Sequence, residues 1–322
     1  MECYPLTFKP IFKERLWGGT KLKAVLNKDA AGDHIGESWE ISCVPGEASV
    51  VDNGPYAGRT LPDLIAAFPE DLLGRSVLQR FGTEFPLLIK FIDAREDLSI
   101  QLHPGDELAR KRHNSFGKTE MWYIMDADPG SELIVGFEKD VTRPQYEEAL
   151  ETGTLTDLLH YRQVRRGDGF FINSGKIHAI GAGILLAEIQ QSSDVTYRVY
   201  DFERRGPDGK LRELHTDLAL DAMDFRRKDD FEMRYSRELN QPNAMVESPY
   251  FTTRYLKLDQ AIKRPLQEGE AFTIYMCVSG SARIAAGIGE EMLKMGETLL
   301  TPAAAASVTI QTDGCELLEV TV

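Results

Sequence analysis

Hydrophobic and polar residues alternate along much of this chain, a pattern that predicts β-strands. Residues 37–42 alternate in this way, and residues 85–94 form an apolar run of the length of a buried strand. The same pattern returns over residues 164–199, and from Val246 onward it consists of short strands separated by turns. Strands at such regular spacing are typical of a jelly roll or a small barrel.

Glycine positions predict where the chain turns. In the C-terminal part the predicted turns fall at residues 268–269, 279–280 and 287–289, and an earlier turn is predicted at residues 203–210. Residues 226–243 are charged and show poor periodicity. We interpret that stretch as the connection between two domains.

Helical spacing of apolar residues is confined to three insertions, at about residues 60–80, 105–116 and 143–160. The first insertion begins with Thr60, Pro62 and Asp63, which are residue types that cap a helix or favour its first turn. The predicted fold class is therefore mainly β, with a few inserted α-helices. Because 322 residues exceed the usual size of one domain, we expect two, with boundaries at 1–235 and 240–322.

A weak internal repeat supports two similar domains. Gly167-Asp168 is followed by an apolar strand and, eight residues later, by a turn that ends in His178. Near the C-terminus, Gly296-Glu297 leads into a similar strand and a turn of small residues. Both segments resemble the second sequence motif of cupins, in which such a turn delivers a metal-binding histidine. Alanines occupy the corresponding region of the second copy, so we expect a metal-binding cupin domain followed by a smaller, metal-free β-domain.

Composition and charge exclude several classes of partner. The net charge of −14 argues against binding to nucleic acid or to an anionic membrane, both of which require a basic surface. No apolar run reaches the length of a membrane span, and the N-terminus does not start like a secretory signal. The four cysteines are far apart and form no CxxC pair, which is typical of reduced thiols in a cytoplasmic protein.

Four polar residues are candidates for one metal site. Gln101 and His103 are two residues apart in an alternating segment, so on a strand they share a face. Glu120 leads into an apolar strand, where an isolated carboxylate would be costly to bury without a cation. With His178 these residues offer only nitrogen and oxygen ligands, which suit Zn²⁺, although Mn²⁺, Co²⁺ or Fe²⁺ would also fit. The other histidines lack such neighbours, and we interpret them as surface or structural residues: His34, His113, His160 and His215.

Five segments occur in the order that is typical of type I mannose-6-phosphate isomerases, and the chain resembles the short bacterial members along nearly its whole length. The segments are residues 12–19 with 36–40, 101–104, 117–123, 174–179 and 193–201. The resemblance implies a zinc enzyme, with one Zn²⁺ per chain, that interconverts mannose 6-phosphate and fructose 6-phosphate. It also implies cupin-type jelly-roll domains.

This aldose–ketose isomerisation needs a group that stabilises the enediolate and a base that moves a proton. Arg198 is the first candidate for a catalytic group, because its counterpart in the family is treated as an active-site residue. Since a guanidinium stays protonated, we expect it to stabilise charge rather than to act as the base. Its alternative role is an ion pair with Asp201 or Glu203. Lys118 could donate to substrate oxygens or shuttle protons, and Glu188 could be the base or could support other residues.

The substrate phosphate requires a local positive cluster, because the overall charge would repel a dianion. Candidates are Arg198, Arg204, Arg205 and Lys118, with a hydroxyl from Ser99, and Lys176 is a further candidate next to the metal-binding turn. Two other functions remain possible on the same architecture. A metal-cupin oxygenase would have no need for Lys118 and Arg198, and a non-catalytic sugar-binding or regulatory cupin would be expected to lose ligands or the arginine.

Overall fold

The structure is a computed structural model that describes residues 1–206 and 208–322, so Pro207 of the turn predicted at 203–210 lies outside the described residues. Two β-sandwiches of the cupin jelly-roll type account for most of the chain. The N-terminal strands are β1 (Leu6–Thr7), β2 (Ile11–Gly19), β3 (Ile35–Ile41), β4 (Cys43–Val44), β5 (Glu47–Ala48), β6 (Leu87–Ala94) and β7 (Ile100–Leu102). They are followed by β8 (Glu120–Ala127), β9 (Glu132–Phe137), β10 (Leu159–Gln163), β11 (Gly169–Ile172), β12 (His178–Ile180), β13 (Ile184–Gln191) and β14 (Tyr197–Tyr200).

The first sandwich consists of a six-stranded and a five-stranded sheet. The strand order of the larger sheet is β11-β8-β13-β6-β2-β3, and that of the smaller is β10-β9-β12-β7-β14. Apolar residues of both sheets, such as Trp122 and Ile92 of the larger and Val135 and Ile180 of the smaller, form one buried cluster. The polar residues of the site lie on the same inner faces, beside this core.

The second sandwich is built from β15 (Pro242–Glu247), β16 (Thr252–Leu258), β17 (Ile262–Pro265), β18 (Thr273–Ala286), β19 (Gly289–Lys294), β20 (Thr298–Thr301), β21 (Ser307–Gln311) and β22 (Cys315–Thr321). Its main strand order is β1-β20-β18-β22-β16-β15, while β17, β19 and β21 pair on the other half. The chain's first strand, β1, therefore completes the sheet of the second sandwich, with Leu6 opposite Leu300.

The turn predicted at Ser279-Gly280 is wrong. These residues lie inside the long strand β18, where the register shifts between Cys277 and Ser279 and Gly280 takes φ +69°. The glycine serves a β-bulge rather than a reversal. Through this bulge β18 passes from β20 and β22 to β19 and β21, and so connects the two halves of the sandwich.

The described part of the chain contains seven α-helices beside the sheets: α1 (Lys21–Ala24), α2 (Leu61–Ala67), α3 (Pro69–Leu73), α4 (Arg75–Phe81), α5 (Asp106–His113), α6 (Arg143–Thr152) and α7 (Thr216–Ala222). It also contains 3-10 turns at Gly54–Tyr56 and Leu155–Leu158. Thr60 and Asp63 form a capping box at the start of α2, in agreement with their sequence signal. The helix predicted to extend toward residue 160 ends instead at Gly153, in the left-handed conformation. Helix α7 lies outside the three insertions where helical spacing was predicted. None of the helices described is long and apolar enough to cross a membrane.

The two sandwiches share a large hydrophobic core. The outer face of the six-stranded sheet, for example Ile89 and Met121, packs with Leu64 of α2 and with Ile274 and Leu318 of the second sandwich. Alternation along β13 explains the arrangement, because Ala187 and Ile189 point into this shared core while Glu188 faces the interior of the first sandwich. The outer side of the six-stranded sheet is thus apolar, whereas its inner side carries both an apolar cluster and buried polar residues such as Glu188.

Candidate metal centre and cavity

Register within the five-stranded sheet brings three predicted site residues side by side. On neighbouring strands, His178 of β12 lies opposite Gln101 of β7, and Gln101 lies opposite Arg198 of β14. Residues that are directly opposite in a sheet project from the same face. His103, just after the end of β7, has the same parity as Gln101 and joins this face.

The facing six-stranded sheet presents a second polar row. Trp122, Glu188 and Lys90 are opposite one another on β8, β13 and β6, and Trp39 of β3 continues the row. Glu188 is held on both sides, since Trp122 Nε1 donates to its Oε1 at 2.9 Å and Lys90 Nζ lies 2.9 Å from its Oε2. Glu120, two residues before Trp122, lies on the same face.

His103, Glu120 and His178 converge between the two sheets, and each of their side chains is only 1% exposed. His103 Nε2 lies 3.6 Å from Glu120 Oε2, and His178 Nε2 lies 3.4 Å from Glu120 Oε1. One ligand atom from each residue falls within 4.8 Å of the other two. This is the spacing of side chains that surround a metal ion.

The hydrogen bonds of the two histidines orient their lone pairs toward Glu120. His103 Nδ1 donates to the Val195 carbonyl at 2.9 Å, and His178 Nδ1 donates to the Lys176 carbonyl at 2.8 Å. Each Nε2 is then an unprotonated acceptor. His178 Nε2 is buried and has no hydrogen-bond partner among the described residues. An orphaned buried lone pair beside a buried carboxylate fits a divalent cation.

Burial shifts the pKa values of His103, Glu120 and His178 in the metal-free protein. Desolvation lowers the pKa of His178 to about 4, and desolvation together with the nearby Lys118 ammonium lowers the pKa of His103 well below its usual value. Desolvation raises the pKa of the Glu120 carboxyl, although Lys118 opposes this effect. Two neutral histidines at neutral pH are ready to bind a metal, and a cation would restore the charge of the carboxylate.

Lys118 and Gln101 flank the cluster. Lys118 Nζ is 3.1 Å from His103 Nε2 and 3.2 Å from Glu120 Oε2. Burial lowers the pKa of Lys118, but Glu120 and Glu188 outweigh it and the net shift is upward, so the ammonium is retained. Gln101 is half-buried, and its Oε1 accepts a hydrogen bond from Ser99 Oγ at 3.2 Å.

A cavity of about 400 Å³ opens from this cluster to the surface. Six residues predicted for the site line it: Ser99, Gln101, Lys118, Glu120, Glu188 and Arg198. Among the described residues, its lining does not include the predicted ligands His103 and His178, which contact Glu120, or the predicted substrate-binding residues Lys176, Arg204 and Arg205. Lys176 Nζ pairs with Asp230 and lies over the ring of Phe231.

Arg198 does not form the ion pair that was its alternative role. Its Nε donates to Ser99 Oγ at 3.3 Å, and its Nη1 donates to the Glu213 carbonyl at 2.9 Å. Asp201 instead accepts hydrogen bonds from Arg204 and Arg212. Arg198 therefore faces the cavity with part of its guanidinium free of acidic partners.

The sequence analysis missed several residues that line the cavity: Arg15, Trp17, Glu37, Trp39, Lys90 and Arg212. Arg15 and Glu37 are joined at 2.8 Å, and Lys90 and Arg15 overcome burial to hold the pKa of Glu37 at about 2. Four of them could have been found from the sequence. Residues 15 and 17 are two apart, as are residues 37 and 39, so each pair shares one face of a strand, and both pairs lie in segments that carry the family resemblance. Arg212 follows β14 in an irregular segment with no such pattern.

Three of the four remaining histidines have side-chain contacts that need no metal. His113 Nε2 shares a hydrogen bond with Tyr197 Oη at 2.8 Å, and His215 Nδ1 accepts from the Arg198 backbone nitrogen at 3.2 Å. His160 pairs with Glu138 near the surface.

Comparisons with known proteins agree with this geometry. Residues 6–135 match the family model of the phosphomannose isomerase type I catalytic domain. The chain is 36% identical to mannose-6-phosphate isomerase ManA of Bacillus subtilis, with 94% of each chain covered, and 34% identical to mannose-6-phosphate isomerase of Streptococcus mutans, with 92% of each covered. The crystal structure of mannose 6-phosphate isomerase from B. subtilis superposes with a TM-score of 0.90 at 32% identity, covering 99% of this chain and 100% of that one.

Proposed function

The chain belongs to the type I phosphomannose isomerase family, and we propose that it interconverts mannose 6-phosphate and fructose 6-phosphate in the cavity described above. One observation carries the proposal: Glu120, which belongs to the buried cluster with His103 and His178, lines the same cavity as Lys118, Glu188 and Arg198. A metal-ligand set, a proton-carrying pair and a fixed cation are what an enediolate mechanism requires.

We infer that the resident metal is one Zn²⁺ ion, held by His103, Glu120 and His178 with Gln101 as a fourth ligand. Nitrogen and oxygen donors in a buried site fit zinc, and Gln101 Oε1 keeps a lone pair beside the hydrogen bond from Ser99. When bound, such an ion supplies Lewis acidity that polarises a substrate oxygen. The same ion would compete with Lys118 for the His103 nitrogen and so leave that ammonium facing the cavity.

The remaining chemistry falls to the chain's own residues. The reaction removes a proton from the carbon next to the carbonyl, passes through a cis-enediol or enediolate, and returns the proton to the neighbouring carbon. Glu188 is the candidate base, because Lys90 and Lys118 outweigh burial and lower the pKa of its carboxyl, so it is ionised at neutral pH. Lys118 is the candidate acid, since its ammonium is retained and can donate to an oxygen of the intermediate.

Arg198 is the candidate stabiliser of the enediolate. Ser99 Oγ accepts from Arg198 Nε and donates to Gln101 Oε1, so one hydroxyl orients both the cation and the proposed amide ligand. A guanidinium fixed before the reaction starts can stabilise developing charge without reorganisation. Lys176 and Arg204, whose ammonium and guanidinium groups pair with Asp230 and Asp201, have no role in this scheme.

Neither alternative function is favoured. An oxygenase would not need Lys118 and Arg198 in the cavity, and a non-catalytic cupin would not be expected to keep both the ligand cluster and the arginine. The four free cysteines fit a reducing compartment, so we propose that the enzyme acts in the cytoplasm.

A coupled assay for fructose 6-phosphate tests the function. Mannose 6-phosphate should be converted by the metal-loaded protein, the activity should disappear after chelation, and Zn²⁺ should restore it. Failure of the loaded protein to form fructose 6-phosphate would refute the proposal, as would full activity after complete removal of the metal.

A further inference from the structure

We infer that Arg15 and Arg212 form the subsite that binds the phosphate group of the substrate, at the rim of the cavity. This inference rests on the proposed function, because it assigns one end of the same sugar phosphate. It replaces the candidates Arg204 and Arg205, which do not line the cavity among the described residues.

The two arginines reach the cavity from opposite sides. Arg15 lies on β2 of the six-stranded sheet, whereas Arg212 lies in the segment after β14, the edge strand of the five-stranded sheet. Their side chains are 34% and 24% exposed, in contrast with 1% for His103, Glu120 and His178 at the base. A dianion between the two arginines would sit near solvent, at the end of the cavity away from the ligand cluster.

Both guanidinium groups have N–H donors to spare. Arg212 donates from Nη1 alone, to Asp201 Oδ1 at 3.3 Å, and its Nε and Nη2 have no hydrogen-bond partner among the described residues. Arg15 donates from Nε to Glu37 and from Nη1 to the Glu14 carbonyl. Its Nη2 has no hydrogen-bond partner among the described residues. Planar guanidinium forks match the oxygens of a phosphate, and charge-assisted bonds of this kind are among the stronger ones in proteins.

The positive charges near Arg212 also favour a phosphate site at the rim of the cavity. Burial lowers the pKa of Arg212, and the neighbouring Arg204 and Arg15 lower it further, against the opposing charge of Asp201. Burial and then Arg212 likewise lower the pKa of Arg198. These like charges repel one another, and Asp201, the acidic partner of Arg212, is shared with Arg204. A dianionic phosphate would relieve the repulsion, even in a chain whose net charge is −14.

Binding the phosphate at the rim has a consequence for orientation. The sugar's carbonyl end would then extend toward the base of the cavity, where Glu120, Lys118 and Glu188 lie. Such positioning converts binding energy of a remote, non-reacting group into alignment at the reacting carbons. The two arginines would thus discriminate sugar phosphates from free sugars.

Arg212→Gln and Arg204→Gln form a matched pair of variants that tests this assignment. Both arginines bond to Asp201 Oδ1, at 3.3 Å and 3.0 Å, but only Arg212 lines the cavity. We expect Arg212→Gln and Arg15→Lys to raise KM for mannose 6-phosphate about 10- to 100-fold, the effect of one or two charge-assisted hydrogen bonds, with a smaller change in kcat. Arg204→Gln should leave KM at the wild-type value.

Calorimetry with mannitol 6-phosphate, which cannot isomerise, gives a second readout. Its Kd should rise by a similar factor in Arg212→Gln and Arg15→Lys and should stay unchanged in Arg204→Gln, with metal content equal in all preparations. An unchanged Kd in both rim variants would overturn the subsite, as would equal weakening by Arg204→Gln. If the wild-type protein binds mannitol 6-phosphate through these arginines but forms no fructose 6-phosphate, the proposed function fails while the subsite stands.

Discussion

The two β-sandwiches have cavities of similar size beside corresponding strands, but different side chains line them. The row Trp122–Glu188–Lys90 of the first sandwich corresponds in register to Tyr275–Glu319–Arg254 of the second. Their cavities measure about 400 and 380 Å³. Both contain a buried glutamate bonded by an aromatic side chain and paired with a cation from another strand.

The two sandwiches differ at the positions of the proposed metal ligands. Where Glu120 precedes Trp122 by two residues, Thr273 precedes Tyr275. Where Gln101 lies opposite His178, Arg264 lies opposite the fully buried Val308. Arg264 donates from Nε and Nη2 to Glu319 at 3.0 and 2.8 Å, so a guanidinium of the chain itself occupies the inside of the second sandwich.

The comparison teaches that the scaffold does not determine the chemistry. The same strands and the same register support a metal-ligand cluster in one sandwich and an internal ion pair in the other. We propose that the metal and the reaction are confined to the first sandwich, and that the second acts through stability. The following predictions test this division, in order of decreasing effect.

The largest effect is expected from the ligands. His178→Ala and His103→Ala should each leave little bound metal and reduce activity by at least about 10³-fold, since several kcal/mol of charge stabilisation are lost. The matched variant in the second sandwich, Val308→Ala, should keep both metal and activity. Elemental analysis and kinetics on the same preparations check this. Full occupancy in either histidine variant would remove that residue from the site.

Arg198→Ala should lower kcat by about 10²–10³, with KM little changed and metal content at the wild-type level, because the interaction is made mainly in the transition state. Arg198→Lys should recover little, since an ammonium cannot reproduce the planar two-pronged geometry. A raised KM with unchanged kcat would instead make Arg198 part of the phosphate subsite, and near-normal kinetics would leave it a structural role.

Variants at the two buried glutamates, Glu188 and Glu319, should have different effects, one on catalysis and the other on stability. Glu188→Gln should reduce kcat by about 10²-fold or more while metal is retained, as expected for a general base. Glu319→Gln should lower the free energy of unfolding by about 2–4 kcal/mol, because Arg264 loses its buried partner, and should leave kcat unchanged. Denaturant unfolding and kinetics decide it. A catalytic defect in folded, metal-loaded Glu319→Gln would contradict the division of labour.

The smallest effect concerns acid stability in the first sandwich. Lys90 and Arg15 depress the pKa of Glu37 from 4.5 to about 2, so this carboxylate stabilises the fold above pH 4.5 and the contribution is lost as pH falls toward 2. The loss is on the order of 3 kcal/mol as an upper value, at 1.36 kcal/mol per pKa unit. Glu37→Gln should be less stable than wild type at pH 7, and the difference should shrink below pH 4.5 and nearly vanish near pH 2. An equal deficit at both pH values would show that Glu37 acts through packing alone.

Much of this site could be predicted from the sequence because its signals are local. Residues 101 and 103 share a strand face by parity, and the repeat at Gly167 and Gly296 aligns β11 with β20, as the registers confirm. Arg212 could not be predicted as a site residue, because it lies in an irregular segment that only the tertiary fold brings to the cavity. Ser279-Gly280 was misread because a glycine in a bulge and a glycine in a turn look alike in sequence.

Long-range pairing also lay beyond the sequence patterns. Leu6 and Thr7 read as part of the N-terminal domain, but the structure pairs them with Leu300 and Leu299 in the sheet of the second sandwich. Two residues carry too little pattern to name a partner nearly three hundred residues away. Lys90 and Glu188 likewise sit in long apolar strands, and only the register that makes them neighbours explains two buried charges.

Anomalous diffraction from crystals of the zinc-loaded protein, recorded at the zinc absorption edge, tests the central claim most directly. We expect one strong peak per chain, between His103 Nε2, Glu120 and His178 Nε2, and none beside Arg264 and Thr273 in the second cavity. A peak in the second cavity, or a first cavity without one in fully active protein, would contradict it.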